Sequence, residues 1–237
     1  MIKKVMCLVT IVATVLVGCS GNSSTRENED KNNVESIISK ATEETIKNIS
    51  DVAVGEVTED ILRNYEVADV GDFLYEFIDD GVKITKYVGD SVLVVIPDSI
   101  EGKNVIKLSV TLFGNDCNVR GVYAPDTVKE LDSTFTNNAS IEVVICEGLQ
   151  NAKEYTFANC ANLHTILLGE ELEKIGDFAF SGCPSLHQVV IPPSLKEIDE
   201  EYSGCLFKSS PNLTIIGESG SLIESYCKEH GINFQTK

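Results

Sequence analysis

The stretch Leu163–Ser185, LHTILLGEELEKIGDFAFSGCPS, holds one full copy of a phrase that the chain repeats on both sides. The phrase reads L-x-x-I-x-L-x-x-x-L-x-x-I-x-x-x-x-F-x-x-C, and its phenylalanine marks the register. Five phenylalanines hold this position, with spacings of 22, 22, 23 and 27 residues: Phe113, Phe135, Phe157, Phe180 and Phe207. A repeated period of this length is typical of a solenoid, in which each unit packs on the next.

Each copy of the phrase predicts a short strand, a turn and an apolar return. Within the strand, offsets zero, three and five from the leading leucine point to the core, as in Leu163, Ile166 and Leu168. The return adds apolar residues near offsets nine and twelve, such as Leu172 and Ile175. A period of about 22–23 residues falls in the range of leucine-rich repeats. The predicted fold class is therefore a β-rich leucine-rich-repeat solenoid, preceded by an N-terminal helical segment.

The wording of the repeat resembles the bacterial BspA-like leucine-rich repeats. Their pattern, L-x-x-[IV]-x-I-P-x-x-[LV]-x-x-I-G-x-x-A-F-x-x-C, is best kept in Leu163–Cys183, with Gly176, Ala179 and Phe180 in place. The resemblance covers about residues 72–234. It implies a binding surface, with adhesion or host interaction as a loose expectation. The asparagine or cysteine of horseshoe-shaped repeats is missing eight residues after the leading position, which holds Thr127, Leu149, Glu171, Ser194 and Ser221.

The first 19 residues resemble the leader of a bacterial lipoprotein. Lys3 and Lys4 precede the apolar run 5–17, and Leu16-Val17-Gly18-Cys19 ends it. A short apolar run with these flanks indicates a signal peptide, residues 1–18, rather than a membrane span. The resemblance to a lipobox implies cleavage before Cys19 and acylation of this residue, for example by palmitate. The alternative is an ordinary signal peptide followed by an incidental cysteine.

Three further domains follow the signal peptide. Residues 19–33 are polar and predict a disordered tether. Residues 34–71 predict a helical segment, in which apolar residues from Val34 to Ile49 recur with helical spacing and a second short helix is expected over 58–65. This segment is either a partner-binding helix or, as we favour, a cap or stalk for the solenoid. Residues 72–237 form the predicted solenoid.

Both ends of the solenoid have non-repeat sequence that predicts covering elements. Phe73–Ile78 and Val82–Tyr87 flank Asp79-Asp80-Gly81, and Asp-Gly favours a hairpin with a type I′ turn. At the other end, 221–230 predicts a helix capped by Ser221, followed by a short apolar segment that closes the stack.

Formal charge bears on the class of partner, and the repeat cysteines bear on how the core is held together. The chain carries −18, and loss of Lys3 and Lys4 with the signal peptide takes this to −20. A polyanion gains nothing from phosphate backbones, so we expect no nucleic acid partner. Cys160 and Cys183 hold the same repeat position and lie within predicted disulfide reach. We favour a buried ladder of free thiols at this position; a disulfide between the two cysteines is the alternative.

No sequence motif supports catalysis. The motifs of serine hydrolases, zinc proteases, P-loop enzymes and dinucleotide-binding domains are absent. His164 and His187 share offset one of adjacent repeats and should lie within about 5 Å, but no third ligand accompanies them. We predict no catalytic residue, no metal and no cofactor. The alternative class is a lipid-tethered envelope enzyme, or an enzyme accessory, whose site assembles only in the fold.

The sharpest binding hypothesis concerns offset four of the strands, on the face opposite the core. Tyr123, Ile145, Leu167 and Val190 predict an apolar stripe that soluble proteins rarely leave bare. Its cover is either the helix predicted over 34–49, a two-sided structural burial, or a ligand with Tyr123 as its anchor. With His164 and His187 beside the stripe, these are the candidate binding residues. The expected function is an outward-facing, lipid-anchored, non-catalytic module at the bacterial cell surface that binds a protein or glycan.

Overall fold

A computed structural model describes residues 70–114, 117–199 and 201–237. The predicted signal peptide, the tether and the helical segment up to residue 69 lie outside the described residues. Within them, a 3₁₀ turn at Val70–Asp72 leads into β1 (Phe73–Ile78) and β2 (Gly81–Tyr87), which pair as an antiparallel hairpin. The predicted hairpin is confirmed.

The turn of this hairpin differs from the type I′ prediction. Ile78 pairs with Gly81, so the two turn residues are Asp79 and Asp80, and neither has the positive φ that a type I′ turn requires. Gly81 is instead the first residue of β2. Its missing side chain has a packing reason, since a Cβ there would lie 2.5 Å from the carbonyl oxygen of Asn104.

The rest of the described chain winds through short strands, as the repeat predicts. In chain order they are β3 Leu93–Val95, β4 Ser99–Ile100, β5 Lys103–Leu108, β6 Gly121–Tyr123, β7 Glu130–Leu131, β8 Val143–Cys146, β9 Asn151–Ala152, β10 Thr165–Leu168, β11 Lys174–Ile175, β12 Gln188–Val190, β13 Glu197–Ile198, β14 Thr214–Gly217 and β15 Asn233–Thr236. The one α-helix of the described residues, α1, spans Leu222–His230.

The strands form two parallel ladders on opposite sides of the core. The front sheet runs β3-β6-β8-β10 and is continued by β12, β14 and β15, with β12 beside β10. The return ladder runs β7-β9-β11-β13. Because each strand pairs with its equivalent one repeat later, the backbone hydrogen bonds of every unit are satisfied by its neighbours. This is the predicted β-solenoid.

A column of stacked phenylalanines fills one side of the core, as the register of the repeat predicts. All five rings are buried, and the centroids of successive rings lie 5.8, 5.4, 5.3 and 5.5 Å apart. Tyr87 of the hairpin covers the first ring, 5.6 Å from Phe113, and Phe73 packs on Tyr87 at 5.3 Å. Tyr226 of α1 ends the column at the other side with an edge contact to Phe207 at 6.3 Å. The two tyrosines come from non-repeat sequence.

Side-chain donors join each turn to the preceding repeat beside the phenylalanine column. The carbonyl oxygens of Phe113, Phe135, Phe157 and Phe180 accept hydrogen bonds, at 3.0–3.2 Å, from Asn138, Cys160, Cys183 and Ser210 respectively. Cys160 and Cys183 are free thiols, which confirms the thiol ladder over the disulfide. We call this set the donor ladder.

The C-terminal cap forms as the sequence predicts. Ser221 caps α1 by accepting a hydrogen bond from the amide of Glu224, and Gly231 ends the helix at φ +67°. The chain then adds β15 in parallel to β14. The last strands show one change of register. Equal spacing would make Thr214 continue the row of His164 and His187. Thr214 instead pairs with Gln188, so it lies outside that row.

Candidate functional site

The apolar stripe predicted on the front sheet exists, and it is longer than predicted. Direct strand pairing places Tyr123 beside Ile145 and Ile145 beside Leu167. Val95 extends this row at β3, where it pairs with Tyr123, and Val190 pairs with Ile216 at the other end. We call these six residues the outer row. It lies opposite the core because Val122, Val144 and Ile166, the alternate residues of the same strands, belong to the core cluster.

Burial divides the outer face into two parts. Val95, Tyr123, Ile145 and Leu167 are only 5, 2, 0 and 7 % exposed, although none belongs to the hydrophobic core cluster. Their neighbours Val143 and Thr165 are also buried. On β12 and β14, Gln188 is exposed, and Val190 and Ile216 are only half-buried. We call β3, β6, β8 and β10 the covered half and β12 and β14 the open half.

This division changes the candidate binding residues. Tyr123, Ile145 and Leu167 present almost no surface, so Tyr123 cannot anchor an external ligand in this arrangement. Val190 remains half-buried and His187 is exposed. The accessible part of the predicted site is therefore its C-terminal end, where Gln188 and Thr214 add polar groups.

A polar row runs beside the apolar row at offset one. The Arg120 guanidinium donates two hydrogen bonds to the Glu142 carboxylate, Nε to Oε1 at 2.7 Å and Nη2 to Oε2 at 3.0 Å. The His164 Nε2 atom lies 3.7 Å from Glu142 Oε2, and its Nδ1 lies 3.0 Å from the Thr165 hydroxyl. His187 follows in the row.

Burial lowers the pKa of His164 below its usual value of 6.5, and the nearby charges of His187 and Arg120 lower it too. The Glu142 carboxylate acts in the opposite direction. His164 is therefore held between a carboxylate and a hydroxyl in a structural polar row. Among residues 70–114, 117–199 and 201–237, no group of three or more histidine, cysteine, aspartate or glutamate side chains is placed to hold a metal.

The buried cysteine thiols are poor nucleophiles at neutral pH. Burial raises the pKa of Cys183 and of Cys227 to about 11. Both are therefore protonated at neutral pH, and the thiolate is the nucleophilic form. Cys146, in the covered half, is also a buried thiol whose pKa burial raises.

A second row of aromatic rings, on the surface, escaped the sequence analysis. Tyr155 and Phe178 stack at 5.0 Å with an interplanar angle of 3°, and Tyr202 lies 5.6 Å from Phe178. Tyr155 and Tyr202 are exposed. Tyr155 and Phe178 have φ of +56° and +58°, a conformation unfavourable to side chains with a Cβ. The spacings of 23 and 24 residues were the available signal.

The family assignment rests on the repeat itself. The profile described as the BspA type Leucine rich repeat region matches residues 97–227 in six copies, which is more than half of the chain. The chain belongs to the BspA-type leucine-rich repeat family. Proteins of this family are typically non-catalytic binding modules at bacterial cell surfaces.

Solved structures of bacterial leucine-rich repeat proteins share the solenoid. The T. pallidum leucine-rich repeat protein is 21% identical, with a TM-score of 0.55 over 72% of this chain and 98% of its own. A leucine-rich repeat protein from Bacteroides ovatus is 23% identical, with a TM-score of 0.51 over 61% of this chain and 45% of its own. These likenesses concern the fold. No curated protein matches the sequence significantly.

The described part of this BspA-type protein contains no helix long and apolar enough to cross a membrane. Cys19, the predicted acylation site, lies outside the described residues.

Proposed function

We propose that this chain is a lipid-anchored binding module on the outer side of a bacterial membrane, and that it recognises a protein or glycan without chemical turnover. Two features of the sequence support the anchoring part: the lipobox-like Leu16-Val17-Gly18-Cys19 and the polar stretch 20–33 that follows it. Acyl chains on Cys19 would provide the membrane affinity, because two or more chains hold a protein stably where one does not.

The observation that carries the binding part is the open half of the front sheet within a BspA-type solenoid. Val190 and Ile216 are apolar and half-buried, while His187 and Gln188 are exposed around them. An accessible apolar centre with a polar rim is the composition of a recognition surface. The chain-wide charge of −18 favours ligands with a positive or neutral surface over anionic ones.

The anchoring proposal is tested with the Cys19→Ala variant in detergent-phase partitioning. Wild-type protein should enter the detergent phase, and the variant should remain in the aqueous phase after signal cleavage. Equal partitioning of the two proteins would contradict acylation at Cys19.

The binding proposal is tested by presenting the purified chain to envelope fractions and to host-matrix fractions. His187→Asp and Val190→Asp should lower retention by about tenfold or more, since each alters the centre of the proposed surface. Val110→Asp is the matched control, because Val110 is an exposed valine outside the front sheet. Protease or periodate treatment of the fractions distinguishes a protein from a glycan ligand. Equal retention of all variants would place the ligand elsewhere.

A further inference from the structure

The outer face of the covered half is buried, although the repeat supplies no element that packs on it. The outer side of a sheet strand in a solenoid normally faces water, and the alternate residues face the core. Here the outer residues of β6 and β8 are as well buried as the core residues: Tyr123 is 2 % and Ile145 is 0 % exposed. Something must therefore pack on this face from outside the core.

The described elements do not account for this cover. Among residues 70–114, 117–199 and 201–237, the principal neighbours of β6 and β8 are the adjacent strands of the front sheet. The N-terminal hairpin packs mainly on β5, and α1 packs on β14 and β15. Strand neighbours pair edge to edge and cannot cover the outer face of the sheet.

The chain enters the described structure beside the segment that leads into β3, the first strand of the covered half. The carbonyl oxygen of Asp72 accepts a hydrogen bond from the amide of Val88 at 2.8 Å. Val88 lies five residues before Leu93, the first residue of β3 and of the covered half. Sixty-nine residues precede this entry point, and the 20 residues of 50–69 could span about 65 Å when extended.

The length and pattern of 34–49 suit the covered half. Its apolar residues have helical spacing: Val34, Ile37, Ile38, Ala41 and Ile49. Sixteen residues of α-helix extend about 24 Å. Four strands about 4.8 Å apart place β3 and β10 about 14 Å from each other, and their side chains widen the face further. One helix of this length is therefore long enough to cross all four strands.

We propose that residues 34–49 dock as an amphipathic helix, apolar side inward, on the outer face of β3, β6, β8 and β10. The N-terminal segment is then an intramolecular occupant of the sheet. The proposal goes beyond binding and anchoring, and it holds whether or not a ligand is found.

Hydrogen exchange of the mature chain tests this docking. The protein comprises residues 19–237 with Cys19→Ser, which removes the lipid and keeps both the segment and the solenoid. Peptides covering 34–49 should exchange slowly in the wild-type protein. Leu167→Glu places a charge on β10 of the covered face and should speed their exchange by about tenfold or more, because it opens the docked segment. Val190→Glu, on the same row in the open half, should leave it unchanged.

A second variant separates docking from folding. Ile38→Glu alters only the segment, so it should release 34–49 while the amides of β8 and β10 stay protected. Rapid exchange of 34–49 in the wild-type protein would overturn the proposal, as would slow exchange that survives both Leu167→Glu and Ile38→Glu. Protection that rises with protein concentration would instead indicate a second copy as the occupant. Failure to detect a ligand changes none of these outcomes.

Discussion

The covered half and the open half of the front sheet are built from the same repeat, yet they differ on one side only. Both direct leucine, isoleucine or valine into the core at the same offsets, and both join the same phenylalanine column. On the outer face, Ile145 is fully buried whereas Gln188 is exposed. The repeat therefore determines the inside of every unit, while the outer positions are free to vary in residue type and burial.

The largest effect should come from the inside, where the two halves are expected to behave alike. Phe180 has stacked rings on both sides, so Phe180→Ala should lower the free energy of unfolding by about 3–5 kcal/mol. Phe207 stacks on one side and meets only the edge of Tyr226 on the other, so Phe207→Ala should cost less. Urea denaturation measures both. Equally small losses would mean that the column does not hold the core together.

The next effect should separate the two halves. Leu167→Asp buries a carboxylate without a partner and should lower the free energy of unfolding of the mature chain by about 2–4 kcal/mol. Val190→Asp, on the half-buried end of the outer row, should change it by less than about 1 kcal/mol. Thermal and urea unfolding compare the variants. Similar losses at the two positions would remove the distinction between the halves.

The donor ladder should show no such difference, because it lies beside the core. Cys160→Ala leaves the carbonyl of Phe135 without its donor, and Ser210→Ala does the same to Phe180. Each change should cost about 1 kcal/mol in urea denaturation. Cys160→Ser is the control, since a hydroxyl already serves at the Ser210 position. A destabilisation by Cys160→Ser as large as that by Cys160→Ala would argue that volume, not hydrogen bonding, matters there.

The smallest effect should be a pH dependence at His164. Its pKa is lowered in the folded protein, mainly by burial, so the unfolded chain binds the proton more readily. The contribution of His164 to stability is thus complete above about pH 6.5 and declines as the pH falls through that value towards the folded pKa. His164→Gln should flatten the stability profile between pH 7 and 5. NMR titration of the imidazole should give a pKa below 6.5; a value above it would contradict the burial.

The inner architecture could be predicted from the sequence because the repeat encodes it directly. The phenylalanine column, the Ser221 cap and the free thiols at Cys160 and Cys183 all follow from residue type and spacing. Tyr87 and Tyr226 were missed as the ends of the column, since they come from terminal elements in which the repeat is absent. Burial of Tyr123 could not be decided either, because what packs on an outer face depends on distant residues.

Two local details show a further limit of reasoning from spacing. The shift that pairs Thr214 with Gln188 follows the longer spacing before Phe207, and a change in strand register cannot be read from a period alone. At the hairpin, Asp80-Gly81 suggested the turn, yet Gly81 entered the strand because of its close approach to Asn104. In both cases the observed pairing with a neighbouring strand differs from what the repeat spacing or the Asp-Gly dipeptide predicts.

Strand β15 has a consequence for how many copies of this protein can coexist on one surface. A solenoid that ended at β14 would present a bare strand to the next molecule, and lipid-anchored molecules, as we propose these to be, diffuse in two dimensions at high lateral density. Here β15 occupies that position, and the side chains of Asn233, Gln235 and Thr236 on it are polar and exposed. A strand of four residues, three of them polar, makes a poor template for further pairing. We therefore expect the cap to disfavour end-to-end joining of neighbouring anchored molecules.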